Sequence, residues 1–193
     1  KSMSNDELFN KNSEYKYGFS DEDNSVYKIE KGLSAEVVKA ISARKHEPEW
    51  MRDYRLKAYE QFVAKSLPNF GPDLSFINFD DYTYFIKSSE EVKNDWEDVP
   101  EPIKKTFDRL GIPQAERNYL AGVTTQYESE AVYHSMLKEV TDAGIIFLDT
   151  DTALKLYPDL FKRYFATVVS SNDNNFAALN AAVWSGGSFI YVP

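Results

Sequence analysis

The chain has 193 residues, 42% hydrophobic and 15% aromatic, enough apolar material for one packed domain, or one domain plus the edge of another. Its formal net charge of −9 argues against a general nucleic-acid binder, which needs a basic face to replace phosphate counterions. With no cysteine and only two histidines, His46 and His134, the sequence excludes disulfides, thiol nucleophiles, cysteine-ligated zinc or clusters, and multi-histidine metal sites within one chain.

Residues 1–31 are charged and polar, with Asp21-Glu22-Asp23-Asn24 at their centre, and read as a flexible polar arm. The stretch from Lys1 to Tyr17 lacks the apolar core of a signal peptide. No window reaches the roughly 18 apolar residues of a membrane span. No Asn-x-Ser/Thr site occurs, and the chain reads as cytoplasmic.

Ser34 has N-cap chemistry, and Val37, Val38 and Ile41 follow at helical spacing, so a first helix is predicted to end near Lys45-His46. Pro48 suits a first-turn position. Trp50, Met51, Tyr54, Ala58 and Phe62 keep the helical period, which predicts a second helix to about Ser66, stopped by Pro68. Between Pro68 and Pro102 lies a dense aromatic set, Phe70 to Ile86, with Tyr82 to Ile86 a candidate short strand. Ile103, Phe107 and Leu110 form an amphipathic stripe closed by Gly111, and Pro113 opens a short helix to Leu120.

Thr125-Gln126-Tyr127-Glu128 has capping-box spacing and predicts a helix carrying Tyr133, Leu137 and Val140. Ile145 to Leu148 reads as a buried strand, and Asp151 or Thr150 as the N-cap of the helical stretch after it. Pro158 starts a new turn, 170–175 is a polar loop, and Phe176 to Val183 is a last helix. Past Gly186-Gly187, Phe189-Ile190-Tyr191-Val192 is an apolar strand whose backbone would be unpaired as a terminal element; it is expected to be the first strand of a further domain. The expected fold is mainly α with minor β (α+β).

Candidate chemistry is sparse. Glu130 and His134, four apart on the predicted helix face, fit a metal or acid–base pair, but no second histidine completes an H-E-x-x-H site, and a structural pair is the simpler reading. His46 at a helix C-terminus has a structural reading too. Asp21 to Ser25 would need Gly at the sixth loop position and Glu at the twelfth to bind calcium, and carries Val26 and Gly32 there; Asp149 and Asp151 fail likewise. Ser185-Gly186-Gly187-Ser188 lacks the lysine of a P-loop, and no G-x-S-x-G elbow occurs. The aromatic set from Phe70 to Phe85 is either core or a ligand pocket. Composition and spacing therefore assign no catalytic, cofactor-binding or metal-binding residue.

Several stretches nevertheless resemble the N-terminal region of SufB-type members of the SufB/SufD family of iron–sulfur cluster assembly scaffold proteins. They are His46-Glu47-Pro48-Glu49-Trp50-Met51 with Arg55-Leu56-Lys57, Phe79-Asp80-Asp81-Tyr82-Thr83-Tyr84, and Gly111-Ile112-Pro113 leading to Tyr119-Leu120-Ala121-Gly122-Val123. The strongest are Gln126-Tyr127-Glu128-Ser129-Glu130 with Tyr133-His134, and the run from Asn180 to Pro193 through Trp184-Ser185-Gly186-Gly187. The resemblance spans about Tyr15 to Pro193.

It implies an N-terminal helical domain over 32–183, and the start of a right-handed parallel β-helix, truncated here, over 184–193. It implies a structural or docking role in the SUF system rather than an enzyme. The implied partners are the SufC ATPase, which binds the ATP, SufD, and cysteine desulfurase or sulfur-transfer proteins, with no nucleic acid and no membrane. A transient Fe–S cluster is implied for the full-length family and no cofactor for this region, since clusters want thiolates and the family's cysteines lie downstream. The alternative is a freestanding acidic helical module for protein interaction or small-ligand binding, built on the aromatic cluster of 70–86.

Overall fold

The structure, a computed structural model, describes residues 25–69, 71–87, 93, 95–111, 122–127, 129–136 and 138–193. Of the expected polar arm, 1–24 lie outside these residues. The rest is not free: β1 (Tyr27–Lys28) pairs antiparallel with β2 (Ile86–Lys87), and Ile29 is buried with Val37, Ile41 and Phe85. The packed domain thus begins ahead of the expected boundary, because Tyr27 and Ile29 supply apolar surface that the charged neighbours mask in composition.

Three helices make the centre. α1 (Ala35–Arg44) starts where Ser34 accepts from the Val37 N–H, as its sequence predicts. α2 (Glu49–Ala64) follows after Pro48, which stands at the N-cap rather than inside the first turn. α7 (Asn175–Val183) lies antiparallel against α2. Asn174 caps its start through the Ala177 N–H, and Asn175 Nδ2 donates to the Phe62 and Lys65 carbonyls at the end of α2. One asparagine pair thereby satisfies orphan groups at two helix ends. Val38, Ala58, Ala181 and Ala182 fill the seam between the three helices, and the alanines let the backbones approach closely.

Around this centre, β5 (Ile146–Asp149), α5 (Thr150–Leu156) and α6 (Pro158–Tyr164) form a second layer. Met51, Ala153, Leu154 and Phe161 are its buried contacts. Pro158 opens α6, as expected. The α5 N-cap is Asp149, whose carboxylate accepts from the Thr152 N–H at 2.9 Å, and not Thr150 or Asp151. Those two are already helical, and only Asp149 has the extended backbone of a cap.

The helix expected from the Thr125 capping box is absent. β3 (Gly122–Tyr127) and β4 (Glu130–Met136) form an antiparallel hairpin in register Thr124↔His134, with an irregularity between Thr125 and Gln126. Val123, Thr124, Thr125, Val132 and Tyr133 are β-branched or aromatic, and that local preference outweighs a four-residue capping match. A short α4 (Lys138–Asp142) follows. The Ile103 stripe forms α3 (Glu101–Arg109), packed with Trp96 and Val99. The expected 113–120 helix lies outside the described residues.

The terminal strand β6 (Ser188–Tyr191) pairs antiparallel with β5, from Asp149↔Ser188 to Ile146↔Tyr191. The expectation of an unpaired terminal element is therefore corrected on this edge. Phe189 faces inward and stacks on Phe161 with ring centroids 5.6 Å apart, while Ile190 and Val192 face out.

Candidate functional site

The site grows out of the turn between α1 and α2. Lys45 caps α1, and His46 adopts the left-handed conformation with φ 53°. Its N–H donates to the Ala43 carbonyl and the Glu47 N–H to the Ser42 carbonyl, both at 3.1 Å, which is a Schellman turn. The exposed His46 therefore has a backbone role. Its consequence is directional: Lys45 and Glu47, on either side of it, both send their side chains inward.

Glu47 meets Arg55, about two turns into α2. Arg55 Nε and Nη2 donate to the two Glu47 carboxylate oxygens at 2.7 and 2.6 Å, with both side chains almost fully buried. Arg55 Nη1 also donates to the Ala182 carbonyl at 3.1 Å. Lys45 Nζ donates to Asp151 Oδ2 at 2.7 Å and to the Ser185 carbonyl at 2.5 Å. The last turn of α7 has no basic residue of its own. Two cations from elsewhere in the chain approach its negative end, where the macrodipole favours them.

Between them sits Trp184, the residue after α7. The Arg55 guanidinium carbon lies 4.6 Å from its ring centroid and Lys45 Nζ 5.9 Å. Gly187 comes next, where an added Cβ would meet the Thr150 methyl at 3.1 Å, and its carbonyl accepts from the Thr150 N–H at 3.1 Å. The glycine turn thus exists for close approach to α5, not as a phosphate cradle. Burial pushes the Asp151 carboxyl up, and the Lys45 cation opposes that.

Each cation here is matched by a carboxylate, so the arrangement locks the α7–β6 junction instead of offering charge to a substrate. Removing one partner of such a buried pair costs about 3–5 kcal/mol, although the intact pair adds little beyond specificity.

The other sequence candidates are scattered. Glu130 and His134 lie on strand β4, not on a helix; four strand residues span about 13 Å. Glu130 pairs with Lys87 at 3.4 Å, and the His134 ring meets Phe147 edge-on at 5.7 Å. They form no joint site. Asp21 to Asn24 lie outside the described residues, as does Phe70. The aromatic set does not converge on one pocket: Phe85 is core, Phe79 packs edge-on against Phe62, and Phe76 and Tyr82 are about half exposed. Among the described residues no group of three or more His, Cys, Asp or Glu side chains is placed to hold a metal ion.

Sequence reading missed the Lys45–Glu47–Arg55–Trp184 cluster as a charged core. A signal was present: Arg55 shares a helix face with Met51 and Ala58, an arginine where an apolar residue is expected.

A family model described as the SufBD protein N-terminal region matches residues 35–193. The chain is 60% identical over 180 residues to an iron–sulfur cluster assembly SufBD family protein of Staphylococcus haemolyticus (strain JCSC1435). It is 59% identical over the same length to one of Staphylococcus aureus (strain USA300). Each match covers 93% of this chain and 39% of the relative, so the chain spans about two fifths of the length of the curated relatives it matches.

Proposed function

The chain belongs to the SufBD family, through that family's N-terminal region, and from this premise we propose that it serves iron–sulfur cluster assembly as the structural lead-in of a SufB-type scaffold. The match over 35–193 carries the reading. The cluster itself is cargo. With no cysteine in 193 residues, this region has no thiolate to hold one. In this reading the cluster-building side chains belong to the length of the family that this chain does not span.

In this reading the helical layers form a base. The Lys45–Arg55–Trp184 lock fixes the direction in which β6 leaves α7, and β6 is the first strand of a right-handed parallel β-helix. The proposed partners are SufD, the SufC ATPase and the cysteine desulfurase or sulfur-transfer proteins that feed the complex, and the place of action is the cytoplasm. No helix of the described residues is long and apolar enough to cross a membrane. The region performs no catalysis by itself.

Anaerobic reconstitution with iron and sulfide tests this reading. The 193-residue chain is expected to show no charge-transfer absorption after desalting, whereas a full-length relative retains it. Stoichiometric bands kept by the chain alone would sink the proposal.

A further inference from the structure

β6 has two edges, and the fold treats them differently. The register of β5 and β6 runs unbroken from Asp149↔Ser188 to Ile146↔Tyr191, and the Thr150 N–H donates to the Gly187 carbonyl at 3.1 Å in the same frame. Bonded and unbonded pairs alternate along an antiparallel ladder. Leu148↔Phe189 and Ile146↔Tyr191 are therefore the bonded pairs. Ser188 and Ile190 turn their N–H and C=O groups to the other edge, and among the described residues no second strand pairs with β6 there.

Three observations mark that edge as one that takes a strand. It is reachable: Ser188 and Ile190 are exposed, Ile190 by 64%, with Val192 exposed by 65% just beyond. It is undefended. Native sheets blunt their free edges with charge, proline or a covering element, yet Ser188 to Val192 carries no charge and no proline. It is also preformed. The Phe189 ring stacks on Phe161 with centroids 5.6 Å apart, and Gly187 lies so close to Thr150 that an added Cβ would meet its methyl at 3.1 Å. The β6 backbone is thus already ordered, which lowers the entropic cost of adding a neighbour.

The far side of the pair is closed. By the same alternation, Phe147 and Asp149 turn their backbone groups to the outer edge of β5. The buried Asp149 carboxylate is engaged there as the cap of α5, and the His134 ring of β4 lies edge-on against Phe147. An inward-pointing charge and a covering element are two of the ways natural sheets prevent further pairing. The two-stranded unit can therefore grow only from the β6 side.

The comparisons supply the source of the added strand. The matched region is the N-terminal one of the family, and it covers 39% of each relative, so most of a relative's length lies outside the match. We propose that β5 is an end cap, and that the edge carrying Ser188 and Ile190 takes one strand from that remaining length of the family, by backbone pairing. The origin of the strand rests on the scaffold reading, whereas the open and closed edges rest on β5 and β6 alone.

Amide hydrogen exchange at single-residue resolution is the test, on the 193-residue chain and on the full-length Staphylococcus haemolyticus relative. In the chain, Phe189 and Tyr191 should be protected while Ile190 exchanges near its intrinsic rate. In the relative, the residue aligned with Ile190 should exchange at least about a hundredfold more slowly. Proline gives a second readout, because it lacks the N–H that a ladder needs. Ile190→Pro should leave the melting temperature of the chain nearly unchanged, and the aligned substitution should lower that of the relative.

Three results overturn the proposal. Fast exchange at the aligned position of the relative leaves the edge without its strand, whether or not that protein holds a cluster. Protection of Ile190 in the chain that grows with concentration makes a second copy the occupant. Fast exchange of Phe189 and Tyr191 in the chain removes β5 as the cap.

Discussion

The lock around Trp184 and the β3–β4 hairpin are built on opposite plans. In the lock, the bonds at the α7 end join residues far apart in sequence, Lys45 to Ser185 and Arg55 to Ala182, and Lys45 also reaches Asp151 on α5. In the hairpin, pairing is between neighbours, from Tyr127↔Glu130 to Gly122↔Met136. Its attachments to the rest include Ser129 bonded both ways with Ile86, Glu130 with Lys87, the His134 N–H to the Lys93 carbonyl, and the His134 ring on Phe147. A region tied by distant partners opens only when the whole domain opens. One held by local pairing can open alone. The contrast predicts that the hairpin opens separately from the lock, which ties the exit of β6 to distant parts of the chain.

The largest expected effect breaks the lock. Arg55→Met leaves the Glu47 carboxylate buried without its partner, and urea unfolding should show a loss of about 3–5 kcal/mol. That is a large part of the 5–15 kcal/mol typical of a domain. Adding Glu47→Leu removes the stranded charge, and the double variant should recover most of the loss. If the single substitution costs under about 1 kcal/mol, the pair behaves as a surface pair and the contrast with the hairpin collapses.

A middle effect separates the layers and bears on what the sequence makes legible. Asp149→Ala removes the cap of α5 and should cost about 1 kcal/mol, within the usual range for such caps, measured by thermal melting. Ser34, Asn174, Pro158 and the 3.6-residue stripe of α2 were all readable, because a cap or a period is written in a few adjacent residues. Asp149 was misassigned by one or two positions, since Asp149-Thr150-Asp151 offers three capping side chains and only backbone torsion chooses among them. The hairpin was misread as a helix for a related reason: Thr125 and Glu128 match a local rule, while the strand signal is spread over Val123 to Tyr133. The lock was legible only in one residue: Arg55 stands on the apolar face of α2 with Met51 and Ala58. Lys45, Glu47 and Asp151 look like ordinary surface charges until the antiparallel packing of α2 on α7 brings the α7 end over them. Trp184 and the glycine turn were legible only as a familiar string, not as a clamped junction.

The smallest expected effect tests the independence of the hairpin. Burial against Phe147 pushes the His134 imidazole below its ordinary value, partly opposed by the nearby Asp149 carboxylate. The folded state therefore binds this proton less readily than the unfolded chain, whose histidine titrates near 6.5. As pH falls through about 6.5 the unfolded or detached form takes up the proton first, so the His134 contribution is present above that pH and is lost progressively below it, until the folded value is passed. The lock holds no histidine side chain, and its raised carboxyl, Asp151, works in the opposite sense, favouring the folded state as pH falls. Hydrogen exchange of β4 amides, compared between pH 7.5 and pH 5.5 after correction for intrinsic rates, should show weaker protection at the lower pH, a small effect because the ring is only part-buried and solvent screens it. Protection in α2 and α7 should fall less. His134→Gln should abolish the difference in β4 while leaving α2 and α7 unmoved. If acid weakens the α7 amides as much as those of β4, the hairpin and the lock open as one unit, and their separation fails.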